Sequence, residues 1–322
     1  MARSGWKTAG LIAGVGCLSI IVIMVGGVVI AAMMARATLR NLGDPEPRPV
    51  ERRIAIAPAP AATAKPSADG GRTGPLLLTL DLREGNFTIR PGEPGSDIQV
   101  KGEFAPGLFE LVENQETDPA TGTRRATVRF HSKAPAWARF FGGMFGDDGT
   151  NRPELTVTIP RGIPIDLSLQ TTMGRSEVDL GGLMLNDVSV TASMGEHRID
   201  FAEPVVEGVK LLRINTSMGN VVIENLGNAR PETVTATGSM GNVTANLGGA
   251  WAAGGSSDIR FEQSMGELTV RVPSNVRVDA DVRNNDSDSN RTPTLKQSED
   301  PKAPSLRLRV TSSMGNARVV QD

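Results

Sequence analysis

The segments TASMGEHRID (Thr191–Asp200), NTSMGNVVIE (Asn215–Glu224) and TGSMGNVTAN (Thr237–Asn246) align on one Met-Gly pair without a gap. The pattern begins earlier, as TTMGRSEVDL (Thr171–Leu180), and continues as EQSMGELTVR (Glu262–Arg271) and TSSMGNARVV (Thr311–Val320). The aligned pairs are Met173-Gly174, Met194-Gly195, Met218-Gly219, Met240-Gly241, Met265-Gly266 and Met314-Gly315. Successive methionines are 21, 24, 22, 25 and 49 residues apart, the last step being about two periods. The chain has only 12 Met, so six of them in one register mark a repeat rather than chance.

The flanks explain why such a unit repeats. Two, four and six residues before each Met, the side chains alternate toward one face: Val188, Val190 and Ala192; Leu212, Ile214 and Thr216; Ile259, Phe261 and Gln263. After the Met the parity flips, and the same face takes His197, Ile199 and Phe201; Val243, Ala245 and Leu247; Leu268, Val270 and Val272. Arg198 and Thr269 point the other way. Period-two alternation is the signature of a half-buried strand, and a parity flip across a glycine is a bend that keeps both halves facing one core. Each repeat is therefore expected to be two short strands meeting at a corner, with Met filling the inside of the corner. Asn225 to Arg230 and Gly248 to Ser256 return the chain to the next coil. Stacked coils pair at about 4.8 Å and together bury what one coil cannot. The predicted fold is an all-β solenoid, one strand pair per coil. An antiparallel sandwich accounts for the alternation equally well, but gives no reason for Met-Gly to recur in register.

Composition agrees with a thin core cut by tight turns: Gly 36, no Tyr, and aromatics at 4%. A net charge of −2 without clustered Lys or Arg excludes a nucleic-acid surface. The single cysteine, Cys17, excludes an intramolecular disulfide and Cys-based metal clusters.

Residues 1–8 read as a short tail and 9–35 as a transmembrane helix, because Thr8 to Ala35 carries no charge and Leu11 to Met34 is almost wholly apolar. A cleaved signal peptide would have a shorter apolar region. Residues 36–74 form a Pro/Ala-rich spacer, and 75–322 the repeat domain with inserts at 133–152 and 284–304. Counting Lys and Arg alone puts the C-terminal side in the cytoplasm, but long domains translocate regardless of charge. The expectation is a single-pass protein of the cell membrane with its domain outside the cytoplasm, the cytoplasmic side staying open.

PELTVTIPRGIPIDLSLQTTMGRSEVDL (Pro153–Leu180), the SMG repeats and the closing LRLRVTSSMGNARVV (Leu306–Val320) together resemble the bacterial putative-adhesin, toastrack-type β-strand-repeat family. The resemblance runs from Gly74 to Asp322. It departs in placing Met before the Gly, where many members have a small polar residue. It implies the repeat fold, a domain without assigned chemistry, and kinship with cell-wall-stress response proteins. It brings no catalytic residues.

Candidate sites are few. His131 and His197 have no catalytic partner that sequence can place beside them. Six thioethers are soft ligands for copper(I), although Met inside a corner is ordinarily packing. DSDSN (Asp286–Asn290) imitates the start of a calcium loop but has Arg291 and Gln297 where Gly and an acid are needed. Asp179, Asp200 and Glu224 fall in one outward column, followed by Asn246, so stacked carboxylates about 5 Å apart are expected. Trp137, Phe140, Phe141, Met144 and Phe145 gather aromatic side chains into one insert, either as a cap on the stack or as an apolar patch for a partner or membrane interface. No cofactor or metal is called for. The reading is an anchored binding or scaffolding module of the cell envelope, in an adhesion or stress-sensing assembly. Its partners would be the bilayer and another envelope protein or cell-wall polymer, with homo-oligomers allowed. A polysaccharide-active β-helix enzyme, which would need paired carboxylates, and a polymer built by end-to-end stacking are the alternatives.

Overall fold

A computed structural model of the chain describes residues 27–31, 33–34, 37–38, 46–56, 74–135, 152–284 and 293–321. Thirteen strands follow one another: β1 (Arg48–Ile54), β2 (Leu76–Gly92), β3 (Ile98–Phe104), β4 (Phe109–Thr117), β5 (Arg124–Ser132), β6 (Glu154–Pro160), β7 (Pro164–Asp179), β8 (Met184–Asp200), β9 (Leu211–Glu224), β10 (Thr233–Asn246), β11 (Ser256–Val272), β12 (Arg277–Asn284) and β13 (Ser305–Gln321). A single turn of helix, α1 (Leu226–Ala229), lies between β9 and β10. The fold is mostly β, in one open, non-closed sheet ordered β1-β3-β6-β2-β7-β8-β9-β10-β11-β13-β12.

Strands β7 to β11 and β13 pair parallel, and their methionines align in succession, Met173 with Met194, Met218, Met240, Met265 and Met314. Each strand runs unbroken through its Met-Gly pair, so one long strand bent at glycine forms both arms of a coil. The glycines adopt φ from +113° to +146°, a region that L side chains avoid. A Cβ on Gly174, Gly195, Gly219, Gly241, Gly266 or Gly315 would fall on the carbonyl oxygen of the glycine in the preceding coil. Handedness and close approach thus both demand glycine. Strand β2 is a further coil of the same kind: Glu84-Gly85 pairs with Met173-Gly174, and Gly85 has φ +144°. Glutamate in place of Met hides it from a search for Met-Gly.

At one side of the stack, β5 pairs with the first arm of β2 and β6 with its second. These two short strands occupy one coil position, and the chain leaves it between them where neighbouring coils carry glycine. At the other side the double step in the sequence conceals a half-coil. Strand β13 inserts beside β11, and β12 pairs outside it along the first arm only.

The expected parity holds. Val188, Val190, Ala192, His197, Ile199 and Phe201 are all buried, as are the corresponding residues of the coils at Met218, Met240 and Met265, except half-buried Asn225. Phe87, Phe104 and Phe130 close the core near β3 and β5, with rings edge to face at 5.1 and 6.1 Å. The methionines correct the sequence reading. Instead of filling the inside of the corner they face outward, 36–58% exposed. Polar side chains occupy the interior: Thr171, Ser176, His197, Thr216, Gln263 and Ser312 are buried. The bend interrupts the ladder, and inward-facing backbone groups need partners that a thioether cannot supply. Gln263 Nε2 donates to the carbonyls of Gly241 (3.0 Å) and Met265 (2.7 Å). Thr269 lies outward as expected, yet is buried under Arg318, whose Nε donates to its hydroxyl at 3.0 Å.

One segment departs from the expected boundaries. Arg48–Ile54, within the presumed spacer, is edge strand β1, antiparallel to β3. Its charges and Pro49 blunt that edge. At the opposite edge, bordered by the described residues 293–304 of the second insert, side-chain amides complete backbone groups. Gln297 bonds both backbone groups of Val278 (2.7 and 2.9 Å), Gln321 both groups of Lys296 (2.7 and 2.8 Å), and Asn284 both groups of Ala317 (3.0 and 3.2 Å).

The chain divides into two compact units. Arg48–Phe104, Leu111–His131 and Arg152–Asp322 carry the sheet described above. The other comprises Met1–Pro47, Ala105–Glu110 and Ser132–Asn151. In it, the described residues between 27 and 38 are helical, and Lys133 bonds back to Leu108 and Pro106.

Replacing Gly219 by Ala should cost on the order of 3 kcal/mol in urea melts, because strain and a backbone clash coincide. Met218→Ala, one residue away, should cost less than about 1 kcal/mol. Gln297→Ala should cost about 1 kcal/mol and, by freeing a strand edge, raise concentration-dependent association in sedimentation runs.

Candidate functional site

The outward column at the ends of the second arms is where stacked carboxylates were expected. Asp179, Asp200 and Glu224 do lie directly in register. The question is what relieves their repulsion. Asp179 Oδ1 accepts the backbone N–H of Gly181 (2.9 Å) and of Ala202 (3.2 Å). Asp200 Oδ1 accepts from Asn225 Nδ2 at 2.8 Å. The Arg198 guanidinium stands 3.6 Å from Asp200 and 3.8 Å from Glu224. Glu224 in turn accepts from Asn246 Nδ2 at 3.2 Å, and Asn246 Oδ1 accepts the Gly248 N–H at 2.8 Å. Acceptors and donors alternate down the column. These residues start the return loops, and their bonds hold the loops rather than an open acid/base pair. Exposed ion pairs such as those of Arg198 contribute at most about 1 kcal/mol.

Asn228 ties the loops together from inside: it donates to the Phe201 carbonyl at 2.7 Å and accepts the Ala250 N–H at 2.7 Å. Its place in α1, between Asn225 and Arg230 at φ 55° and 46°, was not legible from the repeat.

The structure brings one serine to a histidine that sequence left without a partner. His197 Nδ1 is 2.8 Å from Ser176 Oγ and 3.4 Å from Thr171 Oγ1. All three are buried, at 4%, 3% and 1% exposed, so no substrate reaches them. The cluster fills the corner; among the described residues it has no carboxylate partner to complete a triad. His131 ends near the close of β5, away from this cluster in the chain order of the coils.

A groove of about 490 Å³ lies on the outer face between β1, β3, β6, β2 and β7, with Lys101, Glu103, Glu154, Arg175 and Glu177 in its lining. Glu103 and Glu154 are paired directly across β3 and β6. Among the described residues no group of three or more His, Cys, Asp or Glu is placed to hold a metal ion. Trp137, Phe140, Phe141, Met144 and Phe145, and the acidic run Asp286–Asn290, lie outside the described residues. So does most of the 9–35 stretch; among the described residues no helix is long and apolar enough to cross a membrane.

Residues 72–224, from the approach to β2 through the end of β9, match the model of the N-terminal domain of toast_rack, DUF2154. This part of the chain belongs to the toast-rack family. Its glycine-cornered coils continue past the matched residues in unbroken register through β10, β11 and β13. Among solved structures, a putative cell adhesion protein of Clostridium sporogenes is 12% identical to the chain, with 85% of this chain and 100% of that one covered and a TM-score of 0.40. A putative adhesin of Bacteroides fragilis is also 12% identical, covering 85% of this chain and 97% of that one, with a TM-score of 0.37. No curated protein matches the chain in sequence.

Burial of the toast-rack corner has a pH consequence. Desolvation holds the His197 imidazole below its ordinary pKa. The unfolded chain then takes up this proton first, near pH 6.5. The contribution of His197 is therefore full above about pH 6.5 and lost as pH falls through the lower folded value. The urea midpoint should drop as pH falls below about 6.5, and drop less in His197→Gln; the same pH dependence in both proteins would contradict this assignment.

Proposed function

We propose that this chain is a membrane-anchored binding or scaffolding module of the cell envelope. In this reading an N-terminal transmembrane helix holds a toast-rack β-solenoid outside the cytoplasm, as part of an adhesion or envelope stress-sensing assembly. The observation that carries the binding role is the pairing of the outward polar groups. Asp179, Asp200 and Glu224 are committed to loop amides, Asn225, Asn246 and Arg198. A glycosidase needs two carboxylates free to act as acid and base. A rigid stack with satisfied faces suits recognition better than chemistry. The charged, proline-bearing edge strand β1 and the Gln297 bonds along the edge of β12 weigh against a polymer grown by strand addition.

The anchor rests on the uncharged stretch Thr8 to Ala35. It is supported by Val29, Ile30, Met33 and Met34, helical residues that are 41–65% exposed, as side chains facing lipid would be. The partner surface proposed for the domain is the aromatic insert with Trp137 and Phe141, directed at another envelope protein or a cell-wall polymer.

Two measurements test this reading on the full-length chain in cells. Alkaline carbonate should leave it in the membrane pellet, and protease added outside the cytoplasmic membrane should digest the domain. Release by carbonate, or a domain sheltered from the protease, would sink the anchor or its orientation. Trp137→Ser with Phe141→Ser should abolish co-purification of an envelope partner while leaving the melting curve in place; retained capture would remove the insert as the contact.

A further inference from the structure

The outward turn of the methionines changes what they can do. Thioethers packed inside a corner serve as filler, but here Met194, Met218 and Met240 are 38%, 43% and 40% exposed. They occupy three successive coils, paired directly in register. Adjacent strands lie about 4.8 Å apart. Two sulfurs on either side of a shared ion need about twice a metal–sulfur bond of about 2.3 Å, so neighbouring Met side chains can meet an ion without moving the backbone. The glycine corner fixes that backbone, and three rotatable bonds let each sulfur adjust.

The immediate outward neighbours are mostly polar and uncharged, so a cation meets little repulsion there. Outward positions beside this part of the ladder carry Thr191, Asn215 and Thr237 before the corner, and Glu196, Asn220 and Asn242 after it. None is basic; the one carboxylate, Glu196, has Arg175 opposite it across β7 and β8, and the positions flanking Met218 and Met240 are polar and uncharged. The ends of the ladder differ, since Arg175 follows Met173 and Arg318 pairs with Glu267 beside Met265 at 2.8 Å. Thioether sulfur is a soft, uncharged donor that selects Cu(I) over hard or borderline ions.

We propose that Met194, Met218 and Met240 form a thioether site for a soft monovalent cation, Cu(I), on the outer line of the corner. The site stands independently of the envelope role. Full-length chain carrying Cys17→Ser, which removes the competing thiol, is titrated with Ag(I) as a redox-inert stand-in, in detergent and chloride-free buffer. One tight equivalent is expected, weakened about tenfold or more by Met194→Leu, Met218→Leu and Met240→Leu together, and unaffected by Met184→Leu. Zn²⁺ and Ca²⁺ should not compete. Leucine keeps the bulk, and circular dichroism checks that the sheet survives. If the triple variant does not fold, Met218→Leu alone must weaken binding with an unchanged spectrum. Cu(I) loaded without oxygen should show sulfur neighbours by X-ray absorption. Equal affinity in the ladder variants, equal loss with Met184→Leu, or a copper shell of nitrogen and oxygen would each overturn the proposal.

Discussion

Everything in the sheet follows from glycines that face the carbonyl oxygens of glycines one coil away. Gly195 has φ +128°, and a Cβ there would land on Gly174. Both conditions come from bending a strand sharply while keeping it paired to a neighbour bent at the same place. A parallel ladder transmits the bend: once Gly174 turns, Gly195 must turn in register or the pairing of both arms is lost. The corner line is cooperative in that sense, and the side chains on either side of it inherit their direction from it.

That inheritance explains the chemistry of the two faces. Inside the bend the ladder is interrupted, so Gln263 binds the Gly241 and Met265 carbonyls, and His197 meets Ser176. Outside it, Met side chains line up where backbone curvature opens space. Farther along, the second arms end in a column of Asp179, Asp200, Glu224 and Asn246, whose side chains start the return loops. An isolated row of acids would strain the stack, but donors from Gly181, Asn225, Asn246 and Arg198 make it part of the loop scaffold.

Much of this was legible in the sequence for a physical reason. Inward and outward residues alternate with period two, and the Met-Gly pair marks the neighbourhood of the flip, so the buried set of Val188 to Phe201 could be named from the letters alone. The direction of Met could not. An odd spacing between inward positions requires one flip between them, but does not say whether it falls before or after the methionine. The structure places it before, because Ser193 and Met194 both lie outside the core. The coil at Glu84-Gly85 escaped because only its glycine is required by the bend; the residue before it faces outward and is free to vary. Edge pairing was hidden as well. Arg48–Ile54 is too charged to read as a core strand, and Gln297 acts through an amide that any polar loop might contain. The acidic column was visible, but its donors, Asn225 and the Ala202 amide, come from other coils and loops. No local pattern announces them.

Distances along the corner provide the most direct test of in-register stacking. With Cys17 replaced, spin labels at positions 173 and 265 lie four strand spacings apart, and those at 173 and 314 lie five apart. Dipolar spectroscopy should give separations near 19 Å and 24 Å, from a spacing of about 4.8 Å. The increment between them would be one strand. If the two pairs gave similar distances, or the 173–314 separation lay beyond about 35 Å, the parallel stack folded along its glycines would be contradicted.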